Sequence, residues 1–285
     1  MQPFRLFLPE SFEEAIQLMK EHGAKPISGG TAVTTLIKEK IFQPTTMVNL
    51  RKLEKDHAYI IEENGQIKIG ALTTLRDIET SEIVKRNHPV VSNCLSKIAS
   101  IRIRNVATIG GNLAHADPDL DLPPVLAGLD AHIDIIGEDG ERSMDIKEFI
   151  QGYYETDLKE GELIKSIKIP IMPDRKGIYL KHRALSEADW PCVGVAAFVD
   201  EAPGSVPVVF INSVADTPIM KVEGIQEIFS EGITTEAIDK VGELAADQCE
   251  PIGDARGSVW YKRKMAGEFT IRALREITGV GESLI

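Results

Sequence analysis

Two double-glycine loops constrain the fold of this chain more than any other feature of its sequence. The first loop reads S-G-G-T over residues 28–31, and the second reads T-I-G-G-N over residues 108–112. Glycine allows successive backbone N–H groups to point at one anion, and neighbouring Ser or Thr hydroxyls add further donors. A structural turn is the alternative interpretation of either loop alone. Together, the two loops predict a diphosphate-binding site to which both contribute.

The first loop lies in a segment where strand and helix signals alternate. Ser11 and Glu14 form a capping box at the start of one helix. Extended pieces at 25–28 and 45–50 flank a second helix, which begins just after the glycines. This order predicts a small parallel α/β unit over residues 1–56. The positive end of the second helix would then favour an anion at the first loop.

The next part of the chain, residues 57–173, carries hairpin signals instead. Alternating apolar segments flank E-N-G at 63–65 and E-D-G at 138–140, and Asn-Gly is a strong signal for a two-residue hairpin turn. These hairpins predict an antiparallel sheet with helices between its strands. The second double-glycine loop belongs to this part.

A predicted linker at 173–177 precedes the last part of the chain, residues 178–285. Three strand-like segments come first, and three helical segments follow at 221–230, 235–248 and 257–277. Strands followed by helices indicate a separate small domain with a three-stranded antiparallel sheet plus helices. The sequence therefore predicts an α+β protein.

Composition excludes several classes of function. The net charge of −12 argues against a nucleic-acid-binding surface, and no apolar run approaches the ~18 residues of a transmembrane helix. The first residues lack the layout of a signal peptide, so we expect a cytoplasmic protein. Three dispersed cysteines and six scattered histidines form neither a disulfide framework nor a metal-binding motif. The phosphate-loop and GxGxxG fingerprints are absent as well.

Longer stretches around both loops resemble a known family. The stretches are KPISGGTAVTTLIKEK and IASIRIRNVATIGGNLAHADPDLDLPPVLAGLDAHI, together with SVWYKRKMAGEFTIRAL near the end of the sequence. They resemble the FAD-binding medium subunit of the molybdenum hydroxylases, the family of xanthine dehydrogenase and aerobic carbon monoxide dehydrogenase. The resemblance extends over essentially the whole chain. It implies a two-subdomain FAD-binding fold of the vanillyl-alcohol-oxidase (PCMH) type, followed by a small C-terminal α+β domain.

The resemblance also assigns site residues. Both loops would hold the pyrophosphate of a non-covalent FAD. Asp121 would contact the cofactor, and its carboxylate could accept hydrogen bonds from sugar hydroxyls. Lys181 matches a cofactor-contacting lysine, and Trp190 stands where relatives often carry an aromatic residue near the flavin ring; a buried core tryptophan is the alternative. The complete set of implied cofactor-binding residues is Pro26, Ile27, Ser28, Gly29, Gly30, Thr31, Ala32, Val33, Ile98, Thr108, Ile109, Gly110, Gly111, Asn112, Asp121, Ile164, Lys181 and Trp190.

Three further residues near the second loop have alternative interpretations. His115 raises the idea of a covalent flavin, but the family binds FAD non-covalently, which favours an ordinary loop histidine. Asp117 and Asp119 are predicted to be solvated or capping groups. The cysteine-rich iron–sulfur insertion of some relatives is absent from this sequence.

The implied function is electron transfer. Molybdopterin and [2Fe-2S] clusters would lie only in partner chains, a large subunit and a small subunit, assembled as a dimer of heterotrimers. Electrons would pass from the clusters through FAD to an external acceptor. The alternatives are a stand-alone FAD-dependent oxidoreductase of the same superfold and a non-redox nucleotide-binding scaffold. The sequence names neither the substrate of the complex nor its electron acceptor.

Overall fold

A computed structural model describes residues 3–281 and begins with a small parallel sheet. Its strand order is β1-β3-β2, with both pairs parallel. Ser11 caps the first helix by accepting a hydrogen bond from the backbone N–H of Glu14 (3.2 Å), and Gly23 ends that helix with a φ of 57°. The elements are β1 (Arg5–Phe7), α1 (Phe12–His22), β2 (Lys25–Ile27), α2 (Thr31–Lys38), β3 (Thr46–Asn49), a 3-10 helix (Leu50–Leu53) and α3 (Glu54–His57).

The second sheet has five antiparallel strands. The order β4-β5-β10-β6-β7 includes both predicted hairpins. Asn64 (φ 50°) and Gly65 (φ 73°) are both left-handed, as the Asn-Gly turn between β4 and β5 requires. The strands are β4 (Ile60–Glu63), β5 (Gln66–Gly70), β6 (His132–Gly137), β7 (Gly140–Asp145) and β10 (Leu163–Pro170), and the separate pair is β8 (Ile150–Gly152) with β9 (Glu155–Thr156).

Seven helices lie between these strands, and two of them position the site. The helix containing Cys94 and the helix containing Leu126 pack into one core cluster with the five-stranded sheet. The second double-glycine loop opens another helix, which has only two turns. The bounds are α4 (Leu75–Thr80), α5 (Glu82–Asn87), α6 (Pro89–Ser96), α7 (Ile101–Arg104), α8 (Ile109–His115), α9 (Leu122–Gly128) and α10 (Ile146–Phe149).

The C-terminal region contains an antiparallel sheet and helices, with two differences from the prediction. The three predicted strands are present, and a fourth strand of two residues pairs with the third. Predicted helix 221–230 is therefore helical only near its middle, because its start is strand and Gly224 is left-handed (φ 83°). The elements are β11 (Arg175–His182), β12 (Val193–Asp200), β13 (Val208–Asn212), β14 (Met220–Lys221), α11 (Ile225–Ile228), α12 (Thr235–Gln248) and α13 (Val259–Thr278).

The predicted linker at 173–177 is also shorter than expected. Strand β11 begins at Arg175, which pairs with Asp200 on β12 in the sheet register. The Arg175 guanidinium also donates to Asp130 Oδ2 (3.0 Å), so it ties the start of β11 to the turn before β6.

The C-terminal sheet is packed on both faces. One face, which includes Tyr179 and Phe198, joins the core of the five-stranded sheet with α6 and α9. The other face, which includes Val195, packs against α12 and α13. Strand β11 is therefore held beside the end of α6, at the edge of the second part of the chain. Within residues 3–281, no helix is long and apolar enough to cross a membrane.

Candidate functional site

The two double-glycine loops meet in space. Ser28 Oγ and Thr108 Oγ1 are 2.8 Å apart and share a hydrogen bond. A Cβ on Gly29 would lie only 1.9 Å from the carbonyl oxygen of Val106, so the first loop rests directly on the chain that leads into the second. The structure thus joins the loops as the prediction of a single site requires.

The first loop keeps its backbone donors open. Gly30 is left-handed (φ 70°) and caps α2 without a side-chain hydrogen bond. Across the described chain, no protein acceptor binds the backbone N–H groups of residues 29–33; the first donor used in α2 is Thr34, which binds Gly30 O (2.9 Å). Unpartnered N–H groups and the positive end of a helix dipole together make a binding site for an anion.

The second loop uses its backbone donors within the protein. Ile109 N–H donates to Thr73 O (3.0 Å), and Gly110 N–H donates to Ala71 O (2.9 Å). The next two N–H groups turn back to Thr108, which accepts from Gly111 at Oγ1 (3.2 Å) and from Asn112 at its carbonyl (2.9 Å). The predicted hydrogen bonds from backbone N–H groups to an anion would therefore come from the first loop.

The second loop offers side chains and open space instead. Asn112 Oδ1 is buried and has no hydrogen-bond partner among the described residues. Gly111 is exposed, and a Cβ there would meet only the hydroxyls of Ser28 (3.0 Å) and Thr108 (3.1 Å). Gly110 differs, because it is buried and its Cβ would collide with Ala71 Cβ and O, both at 2.8 Å. Gly110 is thus required by packing, and Gly111 keeps the mouth of the site clear.

Asp121 and Lys181 form a buried ion pair with each other. Lys181 Nζ donates to Asp121 Oδ2 (2.9 Å), and both side chains are almost completely buried. Tyr179 OH donates to the other carboxylate oxygen (2.6 Å). Burial raises the pKa of Asp121, while the charge of Lys181 and the bond from Tyr179 act in the opposite direction. Contacts of Asp121 and Lys181 with a cofactor stay predictions, and they would use the carboxylate lone pairs and ammonium N–H groups that this pair leaves free.

The three apolar candidates differ in position. Ile98 and Ile164 are 9% and 6% exposed and belong to one core cluster. Trp190 is half-buried, in the loop after β11, and is therefore not the core tryptophan of the alternative interpretation. Its backbone N–H donates to Asp189 Oδ1 (2.8 Å).

Sequence reasoning missed two residues, Lys97 at the end of α6 and Arg183 directly after β11. The carbonyl oxygen of Lys97 accepts hydrogen bonds from Lys181 Nζ (3.1 Å) and Arg183 Nη2 (3.2 Å). Lys97 Nζ in turn donates to Tyr179 O (2.6 Å). More than eighty residues separate these partners, and no local pattern in the sequence links them.

The acidic segment after α8 is less exposed than predicted. Asp117 is only 8% exposed, so of its two predicted roles, solvated or capping, the solvated one is wrong. Its carboxylate accepts from Tyr154 OH (2.9 Å) and from the backbone N–H of Asp119 (2.9 Å), which replaces the lost hydration and closes a local turn. His115 lies at the C-terminal end of α8, with Nε2 3.7 Å from Asp117 Oδ2. Burial lowers the pKa of His115, although the negative charge of Asp117 acts the other way.

Comparison with known proteins adds two family matches. The model described as FAD binding domain in molybdopterin dehydrogenase matches residues 2–172, and the model described as CO dehydrogenase flavoprotein C-terminal domain matches residues 179–277. The chain is 30% identical to the carbon monoxide dehydrogenase medium chain of Hydrogenophaga pseudoflava, over 95% of this chain and 96% of that one. It is 28% identical to the glyceraldehyde dehydrogenase medium chain of Sulfolobus acidocaldarius, over 94% and 96%.

A solved structure shows the same fold. Carbon monoxide dehydrogenase from Hydrogenophaga pseudoflava, in a form that lacks the Mo-pyranopterin moiety of the molybdenum cofactor, matches with a TM-score of 0.92. The match covers 98% of this chain and 99% of the other chain, at 29% identity.

Proposed function

Because this chain belongs to the family of FAD-binding medium subunits of the molybdenum hydroxylases, we propose that it relays electrons from the [2Fe-2S] clusters of a partner chain through FAD to an external acceptor. Its first domain is an FAD-binding domain, and the chain is an oxidoreductase subunit. The observation that carries the proposal is the junction of the two loops, where the Ser28–Thr108 hydrogen bond joins the second loop to the free N–H groups over residues 29–33.

The residues present fit FAD. The pyrophosphate would bind the free N–H groups over residues 29–33, which suits an acidic protein because no lysine or arginine is needed in the loop. The unpartnered Asn112 Oδ1 would accept from a cofactor hydroxyl or N–H. The predicted contacts of Asp121 and Lys181 would place the sugar or ring portion near β11. Non-covalent binding follows from a site made of such groups.

The remaining predicted residues would enclose the flavin. Ile98 and Ile164 would exclude water from one side of it, and Trp190 would lie beside the ring. When bound, FAD supplies the capacity to accept electrons singly and to pass them on in pairs. The role of this chain is to hold the ring between a donor and an acceptor, at a potential set by the surrounding charges and hydrogen bonds.

The partners would be a large molybdopterin-binding subunit and a small [2Fe-2S] subunit, assembled as a dimer of heterotrimers. The names of the relatives, which are medium chains, support a multi-subunit assembly. Co-purification of a tagged chain from its native cells, followed by metal analysis of the complex, would test this part. Recovery of the chain with neither molybdenum nor iron would contradict it.

The first test of the proposal is a visible absorption spectrum after incubation of the purified chain with FAD and desalting. We expect flavin bands in a stoichiometric amount, and acid precipitation should release the flavin into the supernatant. ADP provides the matched comparison, because it carries a diphosphate without the ring. A colourless protein that binds ADP tightly would overturn the proposal in favour of a nucleotide-binding scaffold.

A further inference from the structure

Strand β11 presents a row of polar side chains to the end of α6. Alternate residues of a strand point to the same face, which places Tyr179 and Lys181 together, and Arg183 directly after the strand continues the row. Lys181 and Arg183 both donate to Lys97 O, at the C-terminal end of α6. His182 points to the opposite face, where its Nε2 lies 3.0 Å from Tyr261 OH. The row therefore belongs to the face that borders the FAD-binding part of the chain.

Positive charge exceeds negative charge in this row. Asp121 is the carboxylate that contacts it, and Lys181 and Tyr179 already occupy its two oxygens. Within residues 3–281, neither Lys97 nor Arg183 forms an ion pair with a carboxylate. Burial lowers the pKa of Lys97 and the neighbouring charge of Arg183 acts in the same direction, while Cys94, Glu276 and Asp121 act the other way. Lys97 and Arg183 thus lie close together in a half-buried position, in a protein whose net charge is −12.

Arg183 also has an unused donor. Its Nε is buried and finds no acceptor in the described part of the chain. A buried donor without a partner costs about 1–3 kcal/mol, and such groups are uncommon in native proteins. An acceptor from outside the chain would remove this cost and would neutralise part of the excess charge.

We propose that Arg183 donates a hydrogen bond to the electron-rich N1–C2=O edge of the FAD ring and that its positive charge, with that of Lys97, raises the reduction potential of the flavin. This inference rests on the proposed function. The pyrophosphate is already provided for by the first loop, and the flavin ring is the part of the cofactor that gains negative charge on reduction, so a group of cations favours the ring. Ile98, which follows Lys97 directly, supplies an apolar neighbour that suits a planar ring.

The effect follows from charge balance. Full reduction adds two electrons and one proton to the ring, which leaves one negative charge near N1. A cation in a half-buried site stabilises that charge far more than it would in water, because the effective dielectric constant is lower. Arg183 therefore favours reduced FAD over oxidised FAD, and it makes the flavin a better acceptor for electrons from the partner chain.

The test compares reduction potentials of the full-length chain loaded with FAD, measured by equilibration with a reference dye while dithionite supplies the electrons. For Arg183→Gln we expect affinity for reduced FAD, relative to oxidised FAD, to fall about tenfold, a shift of roughly 30 mV to more negative potential for a two-electron couple. Arg183→Lys retains the charge and should stay near the wild-type potential. Arg86→Gln, at an exposed arginine that pairs with Glu62, is the matched control and should not shift.

The possible outcomes separate this inference from the proposed function. A wild-type chain that binds no FAD contradicts the proposed function itself. A wild-type chain that binds FAD, with an unchanged potential in Arg183→Gln, overturns the role of Arg183 alone. If Arg183→Gln folds normally by circular dichroism but loses FAD, recovery of binding in Arg183→Lys supports the charge contact, and an equal loss in both variants refutes it. Lys97→Gln provides a second variant, with a smaller negative shift expected.

Discussion

The two double-glycine loops look alike in sequence and differ in what their backbones do. In the first, N–H groups over residues 29–33 remain open, and α2 behind them buries none of its side chains. In the second, the N–H groups over 109–112 bind Ala71, Thr73 and Thr108, and α8 packs Ile109 and Leu113 into the core. One loop is available to a ligand, and the other is part of the fold.

This difference suggests a division of labour. The second loop is fixed by hydrogen bonds to the segment after β5, so it provides a rigid wall, and the buried Thr108 in that wall contacts Ser28 of the first loop. The first loop has unsatisfied donors, so a bound anion would stabilise it by mass action. We therefore expect substitutions in the second loop to act through stability or space, and substitutions in the first loop to act through charge.

The largest expected effect separates the two glycines of the second loop. Gly111→Val should abolish FAD binding, because the added side chain fills the open mouth of the site between Ser28 and Thr108. The fold should remain intact, since the added Cβ would meet no backbone atom and would need only small shifts of the Ser28 and Thr108 hydroxyls. Flavin absorbance after desalting measures binding, and urea denaturation measures stability. Stoichiometric FAD on the folded variant would contradict the placement of Gly111 at the site.

Gly110→Ala should have the opposite pattern. Its Cβ would lie only 2.8 Å from Ala71 Cβ and from Ala71 O. Overpacking of this kind lowers the free energy of unfolding by about 1–3 kcal/mol. The better helix propensity of alanine offsets up to about 1 kcal/mol of that loss. The folded variant should still bind FAD. Gly253→Ala is the control, because its nearest neighbour would be 3.4 Å away. Equal stability of Gly110→Ala and wild type would show that the second loop is less rigid than its hydrogen bonds indicate.

A negative charge at the first loop should weaken FAD binding about tenfold, which corresponds to about 1.4 kcal/mol of binding free energy. Thr31→Glu puts a carboxylate at the first position of α2, where the proposed pyrophosphate binds. The new carboxylate also interacts favourably with the positive end of the helix dipole, by about 0.3–1 kcal/mol, so the free energy of unfolding should not fall. Thr235→Glu, at the first position of α12, is matched in helix position and should leave FAD affinity unchanged. Identical FAD affinity in Thr31→Glu and wild type would remove the first loop from the site.

Local sequence signals predicted much of this architecture. The capping box at Ser11 and the Asn64-Gly65 turn depend on residues that are neighbours in the chain. The structure confirms the turn and the cap by Ser11, whereas the Glu14 carboxylate accepts from the backbone N–H of Glu10 (2.7 Å) and not from that of Ser11. Strand β14 has only two residues and exists through its pairing with Phe210 and Ile211, which explains why a helix was predicted there. Short elements of this kind are defined by their partners, and a sequence pattern does not contain the partner.

The same reason limits prediction of the site. Glycine and hydroxyl residues identified both loops, but the N–H groups of Ile109 and Gly110 are used by Thr73 and Ala71, which lie far away in sequence. The pairing of Asp121 with Lys181 spans sixty residues and gives no local signal. The burial of Asp117 depends on Tyr154 in the same way. Residue types could therefore be predicted, and the division between ligand-binding and structural groups could not.

The smallest expected effect is a pH dependence that acts on the second loop alone. Pro26 to Val33 include no titratable side chain, whereas α8 ends at His115, whose pKa burial lowers below the ordinary value of 6.5. The unfolded chain then binds more protons than the folded chain between the folded pKa and 6.5, so this contribution to stability is present above about pH 6.5 and is lost as the pH falls through that interval.

His115→Gln should reduce the difference in unfolding free energy between pH 7.5 and pH 5.5, and His132→Gln, at an exposed position, should not. On going from pH 7.5 to pH 5.5, FAD affinity should fall less for His115→Gln than for wild type. In the variant, protonation of residue 115 can no longer destabilise the second loop. If both variants kept the wild-type pH dependence, α8 would have to be anchored by its N-terminal hydrogen bonds alone, and the end at His115 would have no influence on the site.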